Sequence, residues 1–256
     1  MTDLLRISHL VARHGLLNAV RDVSLTVADG ETVALVGANG AGKSTLLRTV
    51  AGAHAAAEGT VTFDGDDVTD LEAHRRVARG LALVPEGRKL FPDMTVEENL
   101  LVAGRRARSG PWNVDTVLDA FPLLRPMRHK RAGSLSGGQQ QATSIGRALM
   151  TNPRLLLLDE VSLGLAPVAV DTVYESLTTL IRDGATVVLV EQDLSRAMSV
   201  ADRVVCMLEG LVALDARVGH VTREQVTDAY FGLGRTGSET AAPVDAPAAH
   251  PSPERT

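Results

Sequence analysis

Lys43 and Ser44 close the run Gly37-Ala38-Asn39-Gly40-Ala41-Gly42-Lys43-Ser44, which fits G-x-x-x-x-G-K-[ST]. In such a loop the glycines let backbone N–H groups wrap phosphate oxygens. The lysine reaches the β- and γ-phosphates, and the hydroxyl after it ligates Mg²⁺. Further on, the apolar run Leu155-Leu156-Leu157-Leu158 delivers two carboxylates, Asp159 and Glu160. Asp159 suits a Mg²⁺ ligand, directly or through water, and Glu160 suits a group that polarises an attacking water. Phosphoryl transfer needs a positioned nucleophile and charge compensation more than covalent chemistry. Each motif alone has a plainer reading, a glycine turn beside an exposed lysine or a strand ending in a surface acidic pair. Together, in this order, they point to phosphoryl transfer from a nucleotide.

A third segment, Leu135-Ser136-Gly137-Gly138-Gln139, precedes a helical pattern over 139–150, so its N–H groups form an anion site at a helix start. A single molecule gives it no evident task. Capping a nucleotide bound to a second molecule would.

The elements that must position these groups follow from hydropathy. Residues 4–7, 23–27, 32–36, 60–63 and 81–84 read as strands, with Asp29-Gly30 and Asp64-Gly65 as turns. The run 33–36 is wholly apolar, as expected of a strand buried on both faces, and feeds the glycine loop and a helix over 43–50. From Glu86 to Met150 helical patterns prevail, including 95–103 and 114–121, and Thr95 with Glu98 suggests a capping box. Strands at 155–158, 186–190 and 204–208 then alternate with helices at 168–182 and 194–201, and a helix over 222–231 closes the fold. This alternation predicts an α/β fold with a mainly parallel sheet. An antiparallel β portion lies near the N-terminus, and a helical subdomain is inserted at 86–150. The core then comprises 1–85 and 151–235. Residues 236–256, rich in Ala, Pro, Ser and Thr, are expected to be a flexible tail.

At 256 residues the chain can bury a full core, and 45% hydrophobic with 22% charged residues is ordinary for a soluble globular protein. A net charge of −5 argues against a nucleic-acid partner. No apolar stretch approaches the ~20 residues of a spanning helix, so membrane association must come through partners. The single cysteine, Cys206, fits a reducing compartment and reads as a small buried hydrophobe.

The three motifs in this order resemble the ATP-binding cassette (ABC) family, over about residues 4–232. The resemblance implies a P-loop NTPase fold with a RecA-like core, ATP and Mg²⁺ as cofactors, and two subunits closing head to tail around ATP. On it, Gly37, Asn39, Gly40, Gly42, Lys43, Ser44 and Thr45 hold nucleotide, with His14 stacking on adenine. Ser136, Gly137, Gly138 and Gln139 contact the partner's nucleotide. Ser44, Asp159 and Glu86 serve the metal, while Glu160, Gln192 and Lys43 carry hydrolysis.

Five positions depart from the general cassette pattern. His14 stands where an aromatic is common, Glu86 replaces Gln, Gln192 replaces His, Val161 replaces Pro and Ala166 replaces Asp. With Val84-Pro85-Glu86-Gly87-Arg88 and Ser162-Leu163-Gly164-Leu165-Ala166-Pro167, three of these resemble the shorter ATPase of bacterial branched-chain amino-acid importers; Val161 and His14 do not. That subfamily implies a second, longer ATPase (or a second copy), two permease subunits, and a periplasmic or extracytoplasmic solute-binding protein acting indirectly. The place of work is then the cytoplasmic face of the bacterial membrane. Alternatives are the same machine importing urea, short amides or other amino acids, a cassette acting on nucleic acid or ribosomes, and a non-hydrolysing regulatory nucleotide binder. The basic clusters Arg105-Arg106-Ala107-Arg108 and 125–131 read as a solvated face or as contacts with permease loops or anionic lipid.

Overall fold

The computed structural model describes residues 3–105 and 107–233; the expected tail at 236–256, and Arg106 of the first basic cluster, lie outside them. Two sheets organise the chain. The first is antiparallel, in the order β2 (Leu17–Ala28), β1 (Asp3–His14), β4 (Glu58–Phe63), β5 (Asp66–Asp67). The second has six strands in the order β10 (Leu211–Arg217), β9 (Arg203–Leu208), β3 (Thr32–Val36), β8 (Thr186–Val190), β7 (Leu155–Asp159), β6 (Leu81–Val84). All its pairings are parallel except β10 with β9.

Helices connect these strands. They are α1 (Lys43–Val50), α2 (Ala73–Arg79), α3 (Val96–Gly104), α4 (Val114–Ala120), α5 (Gly137–Leu149), α6 (Pro167–Arg182), α7 (Leu194–Val200) and α8 (Arg223–Phe231). The expected capping box at the start of α3 is present, with Thr95 and Glu98 each bonding the other's backbone N–H.

Every residue of β3, β7 and β8 is buried, which is why their sequences are almost unbroken Val and Leu. Side chains alternate faces along a strand, and the core divides accordingly. Leu35, Leu155, Leu157, Val188 and Val190 join α1 and the antiparallel sheet on one face. Leu156, Leu158, Val187 and Leu189 join Phe121, Leu124 and Ile145 of the helical segment on the other. The helical segment thus packs onto the sheet through one continuous core rather than a core of its own.

Register positions the chemistry. Val190 of β8 pairs with both Leu35 of β3 and Asp159 of β7. The three strands therefore end at one level, and the loops that leave them emerge on one edge, where open α/β sheets bind ligands.

The elements missing from the sequence reading have physical reasons. Strands β1 and β2 run far beyond 4–7 and 23–27, but register shifts around Ile7, Leu10 and Ala12 break their period-2 pattern. Helix α2 (Ala-His-Arg-Arg-Val-Ala-Arg) has no apolar stripe. Its buried residue is Arg76, whose guanidinium donates to the carbonyls of Thr49, Val50, Thr69 and Leu71. Strand β10 is an edge strand with no buried residue, turned back on β9 at Glu209-Gly210.

Candidate nucleotide site

The loop after β3 forms a cradle that only glycines permit. A Cβ at Gly37 would come within 2.2 Å of the Met207 carbonyl oxygen, and one at Gly42 within 2.2 Å of that of Ala19. Both residues also have positive φ, 148° and 100°. The backbone can thus pass closely under β9 and β2 before entering α1, whose N-terminus faces the loop. Lys43 is buried and donates from Nζ to the carbonyls of Gly37 (2.7 Å) and Ala38 (3.0 Å), so its side chain folds back across the loop. Burial pulls its pKa down from the usual lysine value, opposed by the Glu160 and Asp159 carboxylates.

Ser44 donates its hydroxyl to Asp159 Oδ1 at 2.7 Å. Asp159 Oδ2 is buried without a hydrogen-bond partner, and Arg48 Nη2 stands 3.8 Å from it. Burial pushes the Asp159 carboxyl up from its ordinary pKa. A hard oxygen set with one oxygen left over suits a divalent cation such as Mg²⁺. Glu160 follows with φ 49°, an uncommon conformation for a residue with a side chain, and its Oε2 accepts Gln192 Nε2 at 2.9 Å.

These groups share one cleft of about 510 Å³, lined by His14, Leu17, Ala19, Asn39, Gly40, Gly42, Lys43, Ser44, Thr45, Glu86, Leu163, Glu160 and Gln192 among others. His14 Nε2 lies 3.2 Å from the Thr45 hydroxyl, and its ring stands 4.7 Å from that of His54, so two imidazoles flank this end. Leu17, Ala19, Arg48 and His54 escaped the sequence reading. Leu17 and Ala19 come from β2 and His54 from the segment after α1, whereas Arg48 lies one turn beyond Ser44 on α1; no motif marks them.

Ser136, Gly137, Gly138 and Gln139 do not line this cleft. Ser136 and Gln139 form a capping box at the start of α5: Gln139 N donates to Ser136 Oγ (3.4 Å) and Ser136 N to Gln139 Oε1 (3.0 Å). The exposed hydroxyl accepts in that pair and still has its proton to donate outward. A Cβ on Gly137 would stand 3.0 Å from Leu165 Cδ2, and one on Gly138 2.9 Å from Ala169 Cβ, so the segment packs closely against the approach to α6.

The glycine cradle, the Asp159-Glu160 strand end and the capped Ser-Gly-Gly segment coincide with a family match. The ABC transporter model matches residues 20–162. This chain belongs to the ABC transporter family. It is 44% identical over 222 residues to the high-affinity branched-chain amino acid transport ATP-binding protein BraG of Pseudomonas aeruginosa, covering 86% of this chain and 95% of BraG. It is 31% identical to BraF of the same organism, another high-affinity branched-chain amino acid transport ATP-binding protein, covering 90% and 98%. Among solved structures, a nucleotide-free ATP-binding cassette from an ABC transporter superposes with a TM-score of 0.78 at 27% identity, covering 89% of this chain and 95% of that one. The cassette is thus a nucleotide-binding ATPase of the transporter class with a mixed α/β fold. Among the described residues no helix is long and apolar enough to cross a membrane.

Two departures from the general cassette pattern have a structural account. Val161 is fully buried in the same core as Leu158 and Leu189, so its side chain is spent on packing rather than chemistry. Gln192 makes its hydrogen bond to Glu160 as a neutral donor, without the charge an imidazole can carry. Cys206 is buried, its thiol pushed up to about 11 by burial, which makes it inert as a nucleophile. In the basic clusters, Arg125 pairs with Asp119, Arg128 with Glu97 and Asp115, and Arg108 donates to the Asn152 carbonyl. The Arg125 and Arg128 pairs lie within the helical segment, whereas Arg108 ties that segment to Asn152, ahead of β7.

Proposed function

We propose that this cassette is the ATP-hydrolysing subunit of a branched-chain amino-acid importer. It works at the cytoplasmic face of the membrane beside a second, different cassette, two permease subunits and an extracytoplasmic binding protein. The observation that carries the hydrolytic reading is the Glu160–Gln192 hydrogen bond, beside the Ser44–Asp159 pair in one cleft. In this reading Gly37–Thr45 cradle the phosphates, Lys43 neutralises their charge, and His14 stacks on the purine. Ser44 and Asp159 hold Mg²⁺, with Glu86 near it. The ion, when bound, compensates charge on the phosphates; Glu160 polarises the attacking water, and Gln192 holds the Glu160 carboxylate in place.

Ser136 and Gly138 act on nucleotide held by the partner subunit, a reading supported by their absence from this chain's own cleft lining. Leu163 in the cleft lining and Val168 at the start of α6, 48% and 78% exposed, supply apolar surface for such a partner. That BraG and BraF are two distinct ATP-binding proteins of one organism favours a heterodimer. Their names also favour branched-chain amino acids over urea or short amides. The segment 86–150, between core portions 1–85 and 151–235, would receive the permease.

The test is Glu160→Gln in the purified chain mixed with its longer paralogue. ATP should drive the pair into a stable complex on size exclusion. A homodimer forming equally well without the paralogue would overturn the heterodimer. Wild-type ATP turnover by the variant would overturn the role of Glu160.

A further inference from the structure

Glu191 is an ionisable side chain only 1% exposed, directly after the wholly buried strand β8. It does not line the nucleotide cleft. Packing alone would be served better by another valine, because a buried carboxyl must be compensated by hydrogen bonds. Its bonds run to two loops. Glu191 Oε2 accepts the Ser162 hydroxyl at 2.7 Å and the Gln192 backbone N–H at 3.3 Å. Ser162 is two residues beyond Glu160, and Gln192 supplies the amide that holds the Glu160 carboxylate. The opposite side is closed by α6. The Tyr174 hydroxyl stands near the same carboxyl, and neither it nor Glu191 Oε1 has a hydrogen-bond partner.

We propose that Glu191 is a positioning residue for hydrolysis. One buried oxygen ties the segment after Glu160 to the residue bearing the Gln192 amide, and so fixes how the amide meets the Glu160 carboxylate. Glu160 needs such support, because its backbone sits at φ 49° and its own side chain is in the open cleft. A mobile loop on either side would let the 2.9 Å contact open. The inference rests on the proposed roles of Glu160 and Gln192.

Steady-state ATP hydrolysis by the full-length chain, in complex with its permease, tests it. Glu191→Leu keeps the bulk but removes both acceptors. It should lower kcat about tenfold or more while the KM for ATP moves less than about twofold. Glu191→Gln, which keeps an acceptor oxygen, should recover at least about half of the rate. Because Glu191 acts through Gln192, adding Gln192→Ala to Glu191→Leu should lower kcat little beyond the worse single variant. A wild-type kcat for Glu191→Leu, an effect confined to KM, or losses that multiply would each overturn the proposal. If Glu191→Leu fails to fold, Glu191→Asp carries the same test, since its shorter arm withdraws the oxygen from Ser162. Glu160→Gln is run alongside. If it is inactive while Glu191→Leu is active, only the positioning role falls; if Glu160→Gln is active, the hydrolytic reading beneath it falls.

Discussion

Gln192 donates from Nε2 to Glu160 Oε2 at 2.9 Å, across the ends of two neighbouring parallel strands. Both residues are polar and line the open cleft, yet the strands that deliver them are wholly buried, so the pair stands on a rigid base. An amide makes this bond without changing charge, so residue 192 contributes no titration to the reaction.

Gln192→Ala should therefore reduce kcat by roughly ten- to a hundredfold, as removal of a positioning donor does, with little change in melting temperature because the side chain is exposed. Gln192→His should restore a donor and add a pH-dependent limb to the kcat profile near the ordinary imidazole range, about 6.5. A flat profile for the histidine variant would show that residue 192 does not touch the reacting groups.

Lys43→Ala should weaken ATP binding by at least about tenfold, because it removes a cationic side chain folded across the glycine loop. Equilibrium binding of a fluorescent ATP analogue measures this. Unchanged affinity would mean that the phosphates are held by backbone N–H groups alone.

Gly42→Ala asks whether the loop geometry matters by itself. The added methyl would collide with the Ala19 carbonyl oxygen at 2.2 Å in a backbone conformation that alanine disfavours. We expect a stability loss of about 1–3 kcal/mol with loss of nucleotide binding. Chemical denaturation and the same binding assay check both. A stable variant with normal affinity would contradict the cradle.

Burial, ahead of every other influence, raises the pKa of Glu191 above the ordinary carboxylate value. The folded state therefore keeps this proton at pH values where the unfolded chain has lost it. Its contribution to stability is present in full below the unfolded carboxylate pKa, about 4.3, and is lost as pH rises through the folded value. Within that window the slope is at most about 1.4 kcal/mol per pH unit. Glu191→Gln removes this dependence, so its stability relative to the parent should improve as pH rises. Urea unfolding at several pH values tests the sign, and a relative stability that falls with pH would refute it.

Much of the site could be read in one dimension because its parts are short and local. The run from Gly37 to Ser44 and the box from Ser136 to Gln139 rest on neighbouring backbone, and the Asp159-Glu160 pair directly follows an apolar run, so each is marked by its spacing. The buried strands 32–36 and 186–190 were equally legible, since burial on both faces demands unbroken apolar residues. Helix α2 was not, because Arg76 anchors it to carbonyls contributed by other segments. Nor were Leu17 and His54, whose closeness to the cleft depends on how β1, β2 and α1 pack, or Arg48, whose neighbour Asp159 lies on β7.

By itself, then, the sequence determined the kinds of residue present: a glycine-rich loop ending in Lys-Ser, an Asp-Glu pair after an apolar run and a Ser-Gly-Gly-Gln segment before a helix. The tertiary structure alone decided their alignment. Parallel pairing brings Leu35, Val190 and Asp159 to one level, and only then can Gln192 meet Glu160 while buried Glu191 reaches Ser162. Strand register is set by which faces are buried across the whole sheet, a global condition that no local run of residues encodes.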